Sequence, residues 1–250
     1  MRHLLAPENA TLLEQLAWSH VLLAFDFDGT LAPIVSSRDS AVMRGRTAAL
    51  FSQACDRYPC AIISGRGKDD VAARLDGAAA KYIIGNHGLE PGAGLREFEL
   101  IVTRALTVLR PALSSLVGIE IEDKRFSLAL HYRKARQKNV ARTLIQEAVL
   151  MLPMPMRIVP GKLVVNLVPE GAPNKGDALL QLRGLEGADT TIYFGDDVTD
   201  EDVFVLDQPG RVLGVRVGES RHSAATYFLR SQREIDRVLA RFVGLRAERP

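Results

Sequence analysis

The run Val21-Leu22-Leu23-Ala24 leads without a break into Phe25-Asp26-Phe27-Asp28-Gly29-Thr30-Leu31. A short continuous apolar run that ends in turn formers reads as a strand, here over 21–26, buried on both faces as in a parallel sheet. Parallel strands need long crossover connections, so this segment commits the chain to a fold in which strands alternate with helices. In open sheets of that kind, ligands bind beyond the carboxyl ends of the strands. Asp26 and Asp28, two residues apart, point to the same side of an extended backbone. Such a pair can hold a cation, attack a phosphorus and move a proton.

The neighbouring segments keep the rhythm. Residues 8–19 and 41–58 have helical spacing. Cys60-Ala61-Ile62-Ile63 reads as a second buried strand and ends at Ser64-Gly65-Arg66. A helix over 68–76 precedes a third strand, Tyr82-Ile83-Ile84, which ends at Gly85-Asn86-His87-Gly88. Beyond the turn-rich Pro91-Gly92-Ala93-Gly94 the pattern changes. Helices are expected over 98–116 and 135–151. Residues 119–122 and 126–130 alternate with period two, and short strands at 156–159 and 162–168 flank Pro160-Gly161. This αββαββ block reads as a small antiparallel sheet backed by two helices, inserted at about 89–170. From Pro173 the first rhythm returns, with a helix from near Gly176, strands at 191–194 and 211–217 and a helix at 231–243. The expected organisation is a Rossmann-like parallel-sheet core, 1–88 with 171–250, carrying an α+β cap.

Composition narrows the partners. The 250 residues carry 32 basic and 30 acidic side chains, and 6% are aromatic. That balance gives no electrostatic case for nucleic acid or an anionic membrane, and little surface for stacking bases. The two cysteines, Cys55 and Cys60, lack any metal-ligand spacing and read as reduced packing residues. The first twenty residues contain Glu8 and Glu14 without an apolar core, so no signal peptide and a cytoplasmic location are expected. No apolar stretch suggests a membrane span. A monomer is expected, and nothing in the sequence excludes an oligomer.

If the strands are parallel, four separated elements meet at one sheet edge: Asp26 with Asp28, Ser64 with Arg66, Lys175 at a loop-to-helix junction, and Asp196, Asp197 and Asp200 after a later strand. Carboxylates from two loops make a hard oxygen site suited to Mg²⁺. A Ser hydroxyl at a helix start and a Lys suit a phosphoryl group. Phosphoryl transfer depends on such positioning and charge neutralisation.

In this order, Asp-Phe-Asp-Gly-Thr at 26–30, Ser-Gly-Arg at 64–66, Lys175 and Gly-Asp-Asp at 195–197 resemble the haloacid dehalogenase (HAD) superfamily of phosphatases. The resemblance implies Asp26 as nucleophile and Asp28 as general acid and base. It implies Mg²⁺ on Asp26, the Asp28 carbonyl and Asp196, with Asp197 and Asp200 supporting the metal or Lys175. It places Ser64, Gly65 and Lys175 on the phosphoryl group. The insertion lies where the superfamily carries its C2-type cap, which implies a cap that supplies substrate contacts and closes to exclude water. Within that class the chain is similar to the trehalose-6-phosphate phosphatases. The strings are Ile63-Ser64-Gly65-Arg66, Gly85-Asn86-His87-Gly88-Leu89-Glu90, Lys124 with Ser127 before His131-Tyr132-Arg133, Gly161-Lys162-x-Val164-Val165 and Gly195-Asp196-Asp197-x-Thr199-Asp200-Glu201. Sugar contacts are implied at Arg66, Asn86, His87, Glu90, Lys124, His131, Arg133, Lys162 and Asn166. The chain departs from that family at Asn166, where Glu is usual, and around Pro169, where Val168 and Glu170 replace a nearby basic residue. A phosphatase for another sugar phosphate, a phosphomannomutase-like phosphotransferase and a non-catalytic sugar-phosphate binder therefore stay open at this point.

Overall fold

The computed structural model describes residues 1–35, 40–92, 94–161, 163–206 and 211–247. The chain divides into two compact units, residues 1–88 with 174–250, and residues 89–173.

The first unit is an α/β fold. Its sheet comprises β1 (Arg2–His3), β2 (Val21–Phe25), β3 (Cys60–Ile63), β4 (Tyr82–Ile84), β9 (Thr190–Gly195), β10 (Val212–Val217) and β11 (Tyr227–Leu229). All pairings are parallel, in the order β1-β11-β10-β9-β2-β3-β4. β2 is central because every residue in it is apolar and buried, so it needs cover on both faces. Val21, Leu23 and Phe25 face one apolar cluster with α1 (Ala10–Trp18), α2 (Gly45–Cys55), α3 (Lys68–Ala73) and α8 (Glu234–Ala247). Leu22 and Ala24 face the other, with α6 (Lys175–Glu186) and α7 (Glu201–Phe204). From β2 the chain moves outward through β3 and β4. It returns at β9 on the other side and moves outward through β10 and β11. The strand order thus reverses between β2 and β9, which is where open sheets of this kind form their ligand crevice.

The second unit is α+β, formed by α4 (Leu95–Leu113), β5 (Glu120–Asp123), β6 (Leu128–His131), α5 (Lys138–Leu150), β7 (Met156–Gly161) and β8 (Val164–Pro169). Its antiparallel sheet has the order β5-β6-β8-β7. Leu128, Leu130, Val165 and Leu167 pack against Val102, Leu106 and Leu109 of α4 and Ile145 of α5. By the period-two rule, Ala129, His131 and Asn166 stand on the opposite face.

Helix α4 begins three residues before the expected start, and the helix expected over 41–58 is confined to 45–55. Strands β1 and β11 and helix α7 go beyond the sequence reading. They are two, three and four residues long, too short for a period to register. Both cysteines are free. A hydrogen bond with Cys55, reinforced by burial, pushes the Cys60 thiol well above its ordinary range. Among the described residues no helix is long and apolar enough to cross a membrane.

Candidate active site

The adjacent ends of β2, β3 and β9 and the start of α6 bring the core candidates together. Asp26 N–H donates to the Phe194 carbonyl at 2.8 Å, which continues the β2–β9 pairing one residue past the strand. The Asp26 carboxylate is thereby set beside the loop after β9. Lys175 opens α6, behind an Asn174 cap whose side chain accepts from Asp177 N–H. It is 1% exposed, and its Nζ donates to Asp26 Oδ1 at 2.9 Å and Asp200 Oδ1 at 2.7 Å. Asp200 also accepts from the Tyr193 hydroxyl at 2.6 Å and from Asp197 N–H at 2.9 Å.

Oxygen atoms of Asp26, Asp196 and Asp200 lie within 4.8 Å of one another. Burial pushes the Asp26 carboxyl up to about 7 despite Lys175. Burial, reinforced by the charges of Asp26 and Asp200, pushes Asp196 up to about 8. Burial works to lower the Lys175 ammonium, and Asp200 and Asp26 outweigh it, holding that group well above the usual lysine range. One lysine therefore leaves the three carboxylates short of positive charge. Asp196 Oδ1 is buried with no hydrogen-bond partner among the described residues. An all-oxygen donor set that includes a bare carboxylate oxygen suits a hard divalent cation.

Asp28 is gripped from β3's end. Arg66 Nε and Nη2 donate to its two oxygens at 2.6 and 2.8 Å, and Nη1 donates to Asp70 at 2.8 Å. Arg74 holds Asp70 in turn through Nε at 2.9 Å. The Arg66 guanidinium, which the resemblance implies as a sugar contact, is buried and engaged by these two carboxylates. Ser64 is buried, and its Oγ accepts from Arg66 N–H at 3.2 Å. The loop after β4 crosses here: Asn86 N–H donates to the Arg66 carbonyl at 2.8 Å and His87 N–H to the Ser64 carbonyl at 2.9 Å. A Cβ at Gly65 would lie 2.5 Å from the His87 ring, so any side chain there would have to displace that ring. Asn86 and His87 are buried in it.

In the second unit, His131 and Glu122 pair at 2.9 Å. In register, Ala129 lies beside Asn166, and His131 beside Val164. Asn166 Nδ2 donates to the Val159 carbonyl at 3.3 Å. Lys124 N–H donates to the Ser127 carbonyl in the β5–β6 turn, Arg133 is exposed past β6, and Glu90 is half-buried. Lys162 lies outside the described residues.

Three supporting side chains are absent from the sequence reading. Tyr193 holds Asp200. Gln232 Nε2 donates at 3.0 Å to the carbonyls of Thr30 and Leu31, fixing the turn after Asp28. Arg216 donates to the carbonyls of Asp196 at 2.7 Å and Asp197 at 3.3 Å. Each is a lone residue without a motif spacing; for Tyr193, the signal is its place two residues before Gly195-Asp196-Asp197 at a strand end.

The family model described as Trehalose-phosphatase matches residues 24–233. A trehalose-phosphate phosphatase of Mycolicibacterium paratuberculosis is 35% identical over 217 residues, covering 81% of this chain and 55% of that relative. A probable trehalose-phosphate phosphatase 4 of Oryza sativa subsp. japonica is 30% identical over 243 residues, covering 89% of this chain and 66% of that relative. The chain thus spans about half the length of the first of these and just under two thirds of the second. The C-terminal domain of the Candida albicans trehalose-6-phosphate phosphatase superposes with a TM-score of 0.81 at 22% identity, covering 95% of this chain and 98% of that one. A trehalose-6-phosphate phosphatase related protein superposes with a TM-score of 0.72 at 24% identity, covering 91% and 100%. The two superpositions show a shared fold. The family match runs from the end of β2 past β11, through every loop that carries the carboxylate cluster, and on that match the chain belongs to the trehalose-phosphatase family.

Proposed function

We propose that the chain hydrolyses the phosphate monoester of trehalose 6-phosphate through an aspartyl-phosphate on Asp26. The observation that carries this reading is the Asp26 carboxylate, buried at the end of the central strand, held by Lys175 and set beside the bare oxygen of Asp196. A carboxylate nucleophile splits one difficult hydrolysis into two easier steps. In the first, an Asp26 oxygen bonds to phosphorus as the bond from phosphorus to the sugar oxygen breaks. Asp28 gives its proton to that leaving oxygen. In the second, water bonds to phosphorus, Asp28 takes the water's proton, and Asp26 leaves as the free carboxylate with inorganic phosphate released.

Lys175, the Ser64 hydroxyl and Gly65 N–H are assigned to the phosphoryl oxygens. Asp26, the Asp28 carbonyl and Asp196 are assigned as ligands of Mg²⁺, which supplies charge neutralisation at phosphorus when bound. Asp197 and Asp200 support these groups. Asp200 does so by fixing Lys175 together with Tyr193. Arg66 is assigned to orient Asp28. Sugar recognition is assigned to Asn86 and His87 in the first unit. In the second it is assigned to Glu90, Lys124, Arg133 and Lys162, with His131 and Asn166 on the sheet face opposite the helices.

The test is chemical trapping. Acid-quenched enzyme turning over the sugar phosphate should carry one phosphoryl group, located at Asp26 by peptide mass spectrometry. Asp26→Asn should remain folded and lose at least about 10³-fold in kcat. Near wild-type turnover by that variant would remove Asp26 from the chemistry.

A further inference from the structure

The carboxylates of the cluster are held in different ways. Asp26 accepts from Lys175, and Asp200 from Lys175, Tyr193 and the Asp197 N–H. Asp196 Oδ1 accepts nothing among the described residues. A carboxylate that presents bare oxygens to a cation cannot spend those lone pairs on donors, so its orientation has to come from its backbone and from packing. Packing is supplied by Gly29. Its φ is +84°, and a Cβ there would fall 2.1 Å from Asp196 Oδ2.

The backbone is held from β10. Arg216 pairs in register with Gly195 on the neighbouring strand. Its guanidinium donates to the carbonyls of both Asp196 and Asp197. Glu201 fixes the guanidinium at 3.1 Å through Oε1, and its Oε2 accepts from Ala224 N–H at 2.9 Å. Arg216 Nε is buried without an acceptor among the described residues, a desolvation cost that the side chain bears in order to reach these carbonyls. Two carbonyls in succession, gripped by one planar fork, leave the peptide between Asp196 and Asp197 little freedom to rotate.

We propose that Arg216 is a positioning residue for the divalent cation, acting through the backbone of Asp196 and Asp197 and touching neither the ion nor the substrate. This rests on the Mg²⁺ assignment above. A brace and a mere counter-charge predict opposite results. Arg216→Lys keeps the charge and loses the fork; Arg216→Gln loses both and relieves the repulsion between the guanidinium and a cation.

The measurement is Mg²⁺ affinity by calorimetry on the whole chain without substrate, paired with the Mg²⁺ concentration that gives half-maximal phosphate release. The brace predicts that both variants raise the Mg²⁺ Kd, by on the order of tenfold. Glu201→Gln should raise it by less, and KM for the sugar phosphate at saturating Mg²⁺ should stay within about twofold. An unchanged Kd in Arg216→Lys, or a tightened Kd in Arg216→Gln, would overturn the brace. So would an unchanged Kd in Glu201→Gln if the Arg216 variants fail to fold. Wild-type protein that binds no Mg²⁺ would overturn the metal assignment and the brace together. Wild-type binding with unaltered variants would overturn the brace alone.

Discussion

Asp28 has both carboxylate oxygens in the Arg66 fork, while Asp26 shares Lys175 with Asp200, so the two aspartates of one motif sit in different environments. Bidentate charge-assisted pairs fix orientation as well as charge. Arg66→Lys retains a cation and loses the fork. If Arg66 orients Asp28 for proton donation, the cost should depend on the leaving group. Turnover of a sugar phosphate should fall about 30–100-fold. Turnover of an aryl phosphate, whose phenolate departs without a proton, should fall less than about threefold on the same grounds. Equal losses on both substrates would reduce Arg66 to a structural part. The raised Asp26 and Asp196 carboxyls carry a second consequence. Between the ordinary aspartate range and about 7 to 8, the folded chain binds more protons than the unfolded one, so metal-free stability falls as pH rises through that window. Mg²⁺ bound as proposed would have to displace those protons at pH 6 and would find the carboxylates ionised nearer pH 8. The Mg²⁺-induced rise in Tm should therefore be larger at pH 8 than at pH 6, and Asp196→Asn should abolish most of the difference. A larger rise at pH 6 would contradict the cluster's electrostatics. The meeting of Asp26, Lys175 and Asp196 is legible in the sequence because each follows a strand or opens a helix. The grip of Arg66 on Asp28 is not, since a lone arginine gives no sign of which of several nearby carboxylates it will face.

Among elements, α8 is fastened to its neighbours by Arg246. Nε and Nη2 donate to the Ala17 and Ser19 carbonyls at 2.9 and 3.1 Å, at the end of α1, and Nη1 donates to the Arg57 carbonyl past the end of α2. The guanidinium carbon also lies 4.0 Å from the Tyr58 ring centre. One side chain thus satisfies orphan carbonyls of two helix ends. Arg246→Ala should cost about 2 kcal/mol in urea unfolding, with kcat unchanged; a loss below about 0.5 kcal/mol would mean that water replaces these bonds fully. Strands β2, β3 and β4 were readable because they are continuous apolar runs with turn formers behind them. The αββαββ order of the second unit was readable from the switch between period two and helical spacing. Strand β1 was not. Arg2 and His3 have no apolar pattern, and they pair with Tyr227 and Phe228, more than two hundred residues away, so the contact that makes them a strand is invisible locally.

For the whole molecule, family membership and geometry bear on different claims. In the proposed function, the carboxylate cluster, Lys175 and the Arg66 fork would serve any phosphate monoester and do not select the sugar. Among the residues proposed for sugar recognition is Asn166, whose amide donates to a backbone carbonyl. Asparagine can offer a sugar hydroxyl a hydrogen bond without the charge of glutamate. Since this chain spans only part of its relatives, its own substrate has to be measured directly. The decisive measurement is Mg²⁺-dependent phosphate release from trehalose 6-phosphate, sucrose 6-phosphate, glucose 6-phosphate, mannose 6-phosphate and glucosylglycerol phosphate, compared as kcat/KM. Trehalose 6-phosphate should lead the rest by at least about 100-fold, or about 2.7 kcal/mol of transition-state discrimination. A flat profile, or a maximum at another sugar, would contradict it.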